Sequence, residues 1–299
     1  MKISTLPLVV LTLAVSLFAQ DPPSCPYKKI PAKRVGGYEL TISEIAANEK
    51  DPQKKEDIQD KAAARCVAAV VSGSAVQVAI GSDWSLSWLA ATGTDINGDG
   101  APDAILEGYS GGAHCCWSYW FVDLGEHPGV YLNLENEREI VIDTKTPGHT
   151  YIQTLDGAFD YFDGLCHACT PFPSVVLELR GKQLSDVGGL FVDEYDKEIA
   201  AAKYKFEHED GEEFAVLASF KPGLEGKYAD ARSAALAVVF GYLYSNREDQ
   251  AWQALNSMWP VSDQARIKKL ILETRALGIL SQIGTSLTDS THRDSSNAD

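Results

Sequence analysis

The sequence predicts an α+β fold, in which an antiparallel β-meander domain is followed by a C-terminal helical domain. Two periodicities and one loop carry this reading. From Cys66 to about residue 180, apolar residues alternate with a period of two between turn residues, as half-buried strands do. Beyond Asp193 the apolar period lengthens to 3.6, the mark of amphipathic helices. Among the strand-like runs lies Thr94-Asp95-Ile96-Asn97-Gly98-Asp99-Gly100-Ala101-Pro102-Asp103, whose oxygen-bearing side chains recur at alternate positions.

Taken in order, the chain begins with Lys2, an apolar run from Leu6 to Phe18 and small residues before a cut after Ala19. Residues 1–19 therefore read as a secretory signal peptide, and the mature protein is expected to be secreted or periplasmic. Gln20 and Asp21, not Cys, follow the cut, so a lipoprotein anchor is not expected. No later stretch approaches the ~20 apolar residues of a membrane-spanning helix. Residues 20–62 read as a leader and charged helix or linker: prolines run to Pro31, residues 38–45 suit a short strand or helix turn, and Asn48–Lys61 is densely charged. The formal net charge of −16 argues against a nucleic-acid partner and favours cation binding.

The β-domain is expected over residues 63–190. Val67, Val70 and Val71, then Gly73-Ser74, then Val76, Val78 and Ile80, make a hairpin. Trp84–Ala91, Ala104–Glu107 and Trp117–Leu124 supply further strands. Alternation puts Trp117, Tyr119 and Phe121 on one face and Ser118 and Trp120 on the other, favouring a packed core over an exposed sugar- or peptide-binding face. A second copy of the layout runs through Tyr151–Leu155, a polar cysteine-bearing loop over Asp156–Pro173, and Ser174–Leu179.

Residues 191–284 form the expected helical domain. Asp193–His208 is one helix, and Glu212–Phe220 suits a short strand or helix. Apolar stripes on Ala235, Val238, Val239, Tyr242 and Leu243, and on Ile267, Leu270, Ile271, Thr274 and Leu277, mark two more. Asn246 and Ser262 suit N-caps, and Gly284 a helix stop. Residues 285–299, rich in Ser, Thr, Asp and Asn, read as a disordered tail.

The alternating loop carries the chemistry. Asp95, Asn97, Asp99 and Asp103 fall at positions one, three, five and nine, and Ala101 offers its carbonyl at seven, a ligand set that suits Ca2+. Gly98 and Gly100 permit the positive backbone angles of so tight a wrap. An EF-hand needs a bidentate Glu at position twelve, where this chain has Leu106, and a strand-like run follows instead of a helix. The pattern D-x-N-x-D-G-x-x-D entering a strand resembles the calcium loop of FG-GAP (integrin-type) and VCBS repeats. That resemblance implies a loop at a hairpin of a β-blade, within a partial blade or sandwich. It also implies a non-catalytic binding or interaction protein, with calcium in a structural role and an unidentified protein or carbohydrate as ligand. With a single loop of this kind, a full propeller is not expected.

Two other chemistries compete. Six cysteines, Cys25, Cys66, Cys115, Cys116, Cys166 and Cys169, favour disulfides in an exported chain. Neighbours on a strand point to opposite faces, so Cys115 and Cys116 are expected to bond outward, at least one of them to Cys166 or Cys169, leaving Cys25 with Cys66. Cys166-His167-Ala168-Cys169 with His114-Cys115-Cys116 has the ligand types for zinc or thiol-redox chemistry, but an oxidising compartment favours disulfides. Thr170-Pro171-Phe172-Pro173 forbids the helix that a thioredoxin-like site needs after its cysteines. Gly108-Tyr109-Ser110-Gly111-Gly112 matches G-x-S-x-G, with Asp160, Asp163, His167 and His208 downstream, as in a secreted serine hydrolase. A nucleophile elbow requires a helix directly after the serine, and His114–Phe121 is strand-like, so Ser110 is expected to be an unactivated loop residue.

Overall fold

The computed structural model describes residues 32–45, 65–82, 85–110, 116–136, 138–220 and 226–283. The signal peptide, the charged stretch Asn48–Lys61, Gly284 and the tail lie outside the described residues.

Among the described residues, twelve strands form three four-stranded sheets, all antiparallel where they pair. The first holds β1 (Lys33–Val35), β2 (Tyr38–Ile45), β3 (Arg65–Ser72) and β4 (Ala75–Ser82) in sequence order. The second is a meander of β5 (Ser85–Trp88), β6 (Asp103–Tyr109), β7 (Trp117–Asp123) and β8 (Gly129–Asn136). The third runs β12 (Gln183–Asp186), β11 (Ser174–Arg180), β10 (Thr150–Leu155) and β9 (Val141–Asp143). β2 pairs with β3 from Glu39↔Val71 to Ile45↔Arg65, so strands from the expected leader belong to the first sheet.

The middle sheet is apolar on both faces because its strands alternate between two cores. Ala104, Leu106, Val122 and Leu124 pack with Leu40, Ile42, Ala68 and Val70 of the first sheet. Ile105, Tyr119, Phe121 and Leu134 point the other way, into a larger core shared with Ile152, Val175, Leu177 and Leu179 of the third sheet. Tyr119 and Phe121 are fully buried, so the aromatic strand is core.

The helices are α1 (Val192–His208), α2 (Gly211–Ala215), α3 (Ala229–Tyr244), α4 (Glu248–Met258) and α5 (Gln264–Arg275). Their apolar residues, including Ile199, Phe214, Val238, Phe240 and Trp259, belong to the same core as the second and third sheets. The boundary near residue 190 is thus a change of secondary structure within one core. A buried ion pair from Arg232 on α3 to Asp163, 2.8 Å, ties the helices to the loop between β10 and β11. Arg266 of α5 reaches the same carboxylate at 2.7 Å.

Two expected caps fall elsewhere. Asn246 has φ +60 and follows Ser245, the residue that ends α3, so it takes the left-handed position after a helix, where Asn is well tolerated. α4 and α5 are preceded by Arg247 and Asp263, neither of which caps through its side chain.

The expected cross-loop disulfide is also corrected, because Cys166 bonds Cys169. A single 3-10 turn at His167–Cys169 brings their Cα atoms to 4.9 Å, within bridging range. The prolines that forbid a longer helix come after this turn and do not prevent it. Neither cysteine is left to reach the 115/116 pair. Cys66 and Cys116 are disulfide-bonded as well, while Cys25 and Cys115 lie outside the described residues.

Candidate functional site

The loop Thr94–Asp103 joins β5 to β6, the first two strands of the middle meander. Its base is closed by backbone bonds from Asp103 N–H to the Thr94 carbonyl (2.8 Å) and from Gly93 N–H to the Asp103 carbonyl (2.7 Å). Gly98 and Gly100 adopt φ +82 and +92, the angles for which glycine is needed.

The five expected ligand residues take different parts. Asp95 accepts Gly98 N–H (2.7 Å) on one oxygen and Gly100 N–H (2.9 Å) on the other. Asp99 Oδ1 accepts Ala101 N–H at 2.9 Å. Asp103 is fully buried, and its Oδ2 accepts Ile96 N–H (2.7 Å) and Asn97 N–H (3.2 Å). The side-chain amide of Asn97 sits between two carboxylates, with Nδ2 3.1 Å from Asp99 Oδ2 and 3.3 Å from Asp103 Oδ1.

Burial, helped by the charges of Asp99 and Asp123, pushes the Asp103 carboxyl up to about 6 despite the two amide bonds. Asp123, opposite Asp103 in the β6–β7 register, has its own cation, Lys182 at 3.5 Å. The Tyr131 hydroxyl is buried beside the Asp103 carboxylate. Burial, then the Asp103, Asp123 and Asp99 charges, hold its pKa above the ordinary phenol range.

Among the described residues, no three His, Cys, Asp or Glu side chains gather so as to hold a metal ion by themselves. The converging set here is two carboxylates and an amide, with Asp95 turned toward loop N–H groups. That set offers a hard cation the carboxylate oxygens of Asp99 and Asp103, but the Asn97 atom that faces them at 3.1 and 3.3 Å is the amide nitrogen, donating at ordinary hydrogen-bond distance. Turning the amide over would put its oxygen in that position, since the two ends are nearly isosteric, but it would give up the 2.8 Å bond by which Asn97 Oδ1 accepts Asp99 N–H. Each carboxylate oxygen already bonded to an amide keeps a second lone pair.

The loop forms one wall of a cleft of about 460 Å3, with Thr144, Thr146, Gly148, His149, Thr150, Arg180 and Gly181 opposite. Gly181 N–H donates to the Asn97 carbonyl at 2.8 Å and fixes the two walls together. His149 Nδ1 lies 2.6 Å and Arg180 2.9 Å from Glu178 Oε1. Burial works against ionisation of Glu178, but these two partners outweigh it and hold the carboxyl below the ordinary range. Sequence reasoning missed this wall, although the turn glycines Gly148 and Gly181 beside His149 and Arg180 were its signal.

The other two constellations are placed as follows. β6 ends at Tyr109 and β7 begins at Trp117, with residues 111–115 between them outside the described residues, and the Oγ of Ser110 accepts Cys116 N–H at 2.6 Å. His167 pairs with Asp160 at 2.8 Å, and Asp163 is held by Arg232 and Arg266. The sulfurs of Cys166 and Cys169 are joined to each other and so offer no thiolate to zinc.

Compared with known protein families, curated proteins and solved structures, the chain matches none. Among the described residues, no helix is long and apolar enough to cross a membrane.

Proposed function

We propose that the protein is an exported, non-catalytic calcium-binding protein whose 95–103 loop holds one Ca2+ at the edge of a ligand cleft. The observation that carries this reading is a fully buried Asp103 carboxylate that no side-chain cation among the described residues neutralises, in a loop where the Asn97 amide reaches both it and Asp99. A divalent ion would supply the positive charge this carboxylate lacks. The loop lies between the first two strands of a four-stranded antiparallel meander.

Asn97, Asp99 and Asp103 would hold the ion, with Ala101 and Asp95 completing the wrap. The ion's part is structural, since it would tie β5 to β6 and steady the cleft wall. The threonines, His149 and Arg180 make the cleft polar and rich in hydrogen-bonding groups, which suits a polyhydroxylated or polar ligand. Export agrees with disulfide bonding of Cys66, Cys116, Cys166 and Cys169.

Thermal melting tests the reading. Without a bidentate Glu the dissociation constant is expected at about 10⁻⁴ to 10⁻³ M, so tenfold excess stabilises by about 1.4 kcal/mol. That corresponds to a rise of roughly 3 °C. Asp99→Ala should abolish the rise and Asp123→Ala should keep it; a wild-type curve indifferent to calcium and chelator refutes the proposal.

A further inference from the structure

The crosslink Cys166–Cys169 spans a turn that other contacts already hold. The Cys166 carbonyl accepts Cys169 N–H (2.9 Å), Thr170 N–H (2.9 Å) and Thr170 Oγ1 (3.0 Å). His167 is bound to Asp160 at 2.8 Å and packs edge-on against Phe172 at 5.7 Å. The Arg138 guanidinium lies over the Phe172 ring at 3.7 Å. A bond that closes so short a loop restrains the unfolded chain less than a long-range one, contributing about 2 kcal/mol, and hydrogen bonds hold the same turn beside it.

The two sulfur-bearing residues differ in environment. Cys166 is exposed, whereas Cys169 is half-buried and packs against the large core. Beside them Tyr161 presents an aromatic ring that is 53% exposed, at 5.9 Å from the His167 ring. An attacking thiolate therefore has access to one sulfur, and the other is placed to leave inward.

From this geometry we infer that Cys166–Cys169 is a thiol–disulfide exchange site that accepts two electrons from a dithiol of another exported protein. The partner thiolate attacks Cys166 Sγ, forming a mixed disulfide. The Cys166–Cys169 bond breaks, its electron pair passes to Cys169 Sγ, and that sulfur takes up a proton. The partner's second thiolate then attacks its own sulfur in the mixed disulfide and releases Cys166 as a thiolate. The partner's dithiol is oxidised to a disulfide, and the 166–169 pair is reduced by two electrons. Because the turn stays folded, the sulfurs remain adjacent, and a disulfide oxidant of the glutathione disulfide class, itself reduced to two thiols, re-forms the bond and closes the cycle. This site is independent of the calcium loop.

The test treats the folded protein with dithiothreitol, quenches with acid, alkylates free thiols and maps the labelled peptides. Cys166 and Cys169 should open at least about tenfold faster than the disulfides of Cys66 and Cys116, with unchanged circular dichroism, and should re-form on removal of the reductant. Opening of all disulfides together, opening of this one last, or loss of structure on its opening overturns the inference. The double variant Cys166→Ser/Cys169→Ser should fold and keep the wild-type circular dichroism; failure to fold makes the bond an indispensable staple and equally overturns it. With glutathione disulfide, Cys169→Ser should form a mixed disulfide at Cys166 at least about tenfold faster than Cys166→Ser forms one at Cys169. Equal rates contradict the assignment of Cys166 as the attacked sulfur.

Discussion

Protons and calcium should compete for Asp103. Its carboxyl titrates at about 6 in the folded protein against 3.8 ordinarily, with burial the leading cause. As pH falls through 6, the calcium-free folded state binds a proton that the unfolded chain does not take up until near 3.8. The calcium-free protein should therefore gain stability between about pH 7 and pH 4, by up to about 3 kcal/mol from this group. Glu107, Asp156 and Glu198 are raised mainly by burial too and add in the same direction, so Asp103→Asn isolates the one contribution. Calcium must displace the proton, and at pH 5 about nine-tenths of Asp103 carries one. Affinity should thus be about tenfold weaker at pH 5 than at pH 7. Calorimetric titration at the two pH values measures the ratio, and melting in chelator measures the stability. Asp103→Asn should lose calcium binding while becoming more stable in chelator at pH 7. Equal affinities at pH 5 and pH 7, or wild-type binding by Asp103→Asn, would refute the reasoning.

Further outcomes concern the scaffold. Arg232→Met strips a side chain that is 3% exposed from the buried Asp163 carboxylate, and should cost about 3 kcal/mol in urea unfolding even with Arg266 still in place; a cost below about 1 kcal/mol would show that Arg266 suffices. Gly188→Ala drives a methyl group into the Tyr244 carbonyl oxygen and should cost about 1–3 kcal/mol, whereas Gly129→Ala, with open space at its Cα, should stay within about 0.5 kcal/mol. At Asn246, held at φ +60, replacement by Gly should be neutral or slightly stabilising and by Val should cost about 1–2 kcal/mol, as equilibrium unfolding would report.

The parts of the fold legible in the sequence were those whose periodicity is local. β6, β7, β10 and β11 lie where alternation placed them, because each buries one or both faces against a neighbouring sheet. α1, α3 and α5 follow from their stripes for the same reason. What was not legible depends on contacts distant in sequence. β1 and β2 look like a leader until β3 supplies their partner, and the helices look like a separate domain until Tyr244 on α3 is seen donating to Asp156 of the β10–β11 loop at 2.6 Å. The cysteine pairing failed because residue spacing does not reveal that one 3-10 turn folds Cys166 back on Cys169. In the candidate site, the oxygen-bearing residues and both glycine angles were readable from the motif. The burial of Asp103 and the amide contacts of Asn97 were not, since they depend on how the loop closes on itself, nor was the opposite wall with His149 and Arg180, which the third sheet and its turns supply.

The central claim is that one calcium ion sits among Asn97, Asp99 and Asp103. A crystal structure of the mature protein grown in millimolar calcium tests it most directly. The account predicts a single ion in the loop, about 2.3–2.6 Å from the Asn97 amide oxygen and the Asp99 and Asp103 carboxylates, with the Asn97 amide turned over from its present orientation. A loop that keeps the Asn97 nitrogen between the two carboxylates and binds no ion at that concentration would contradict it.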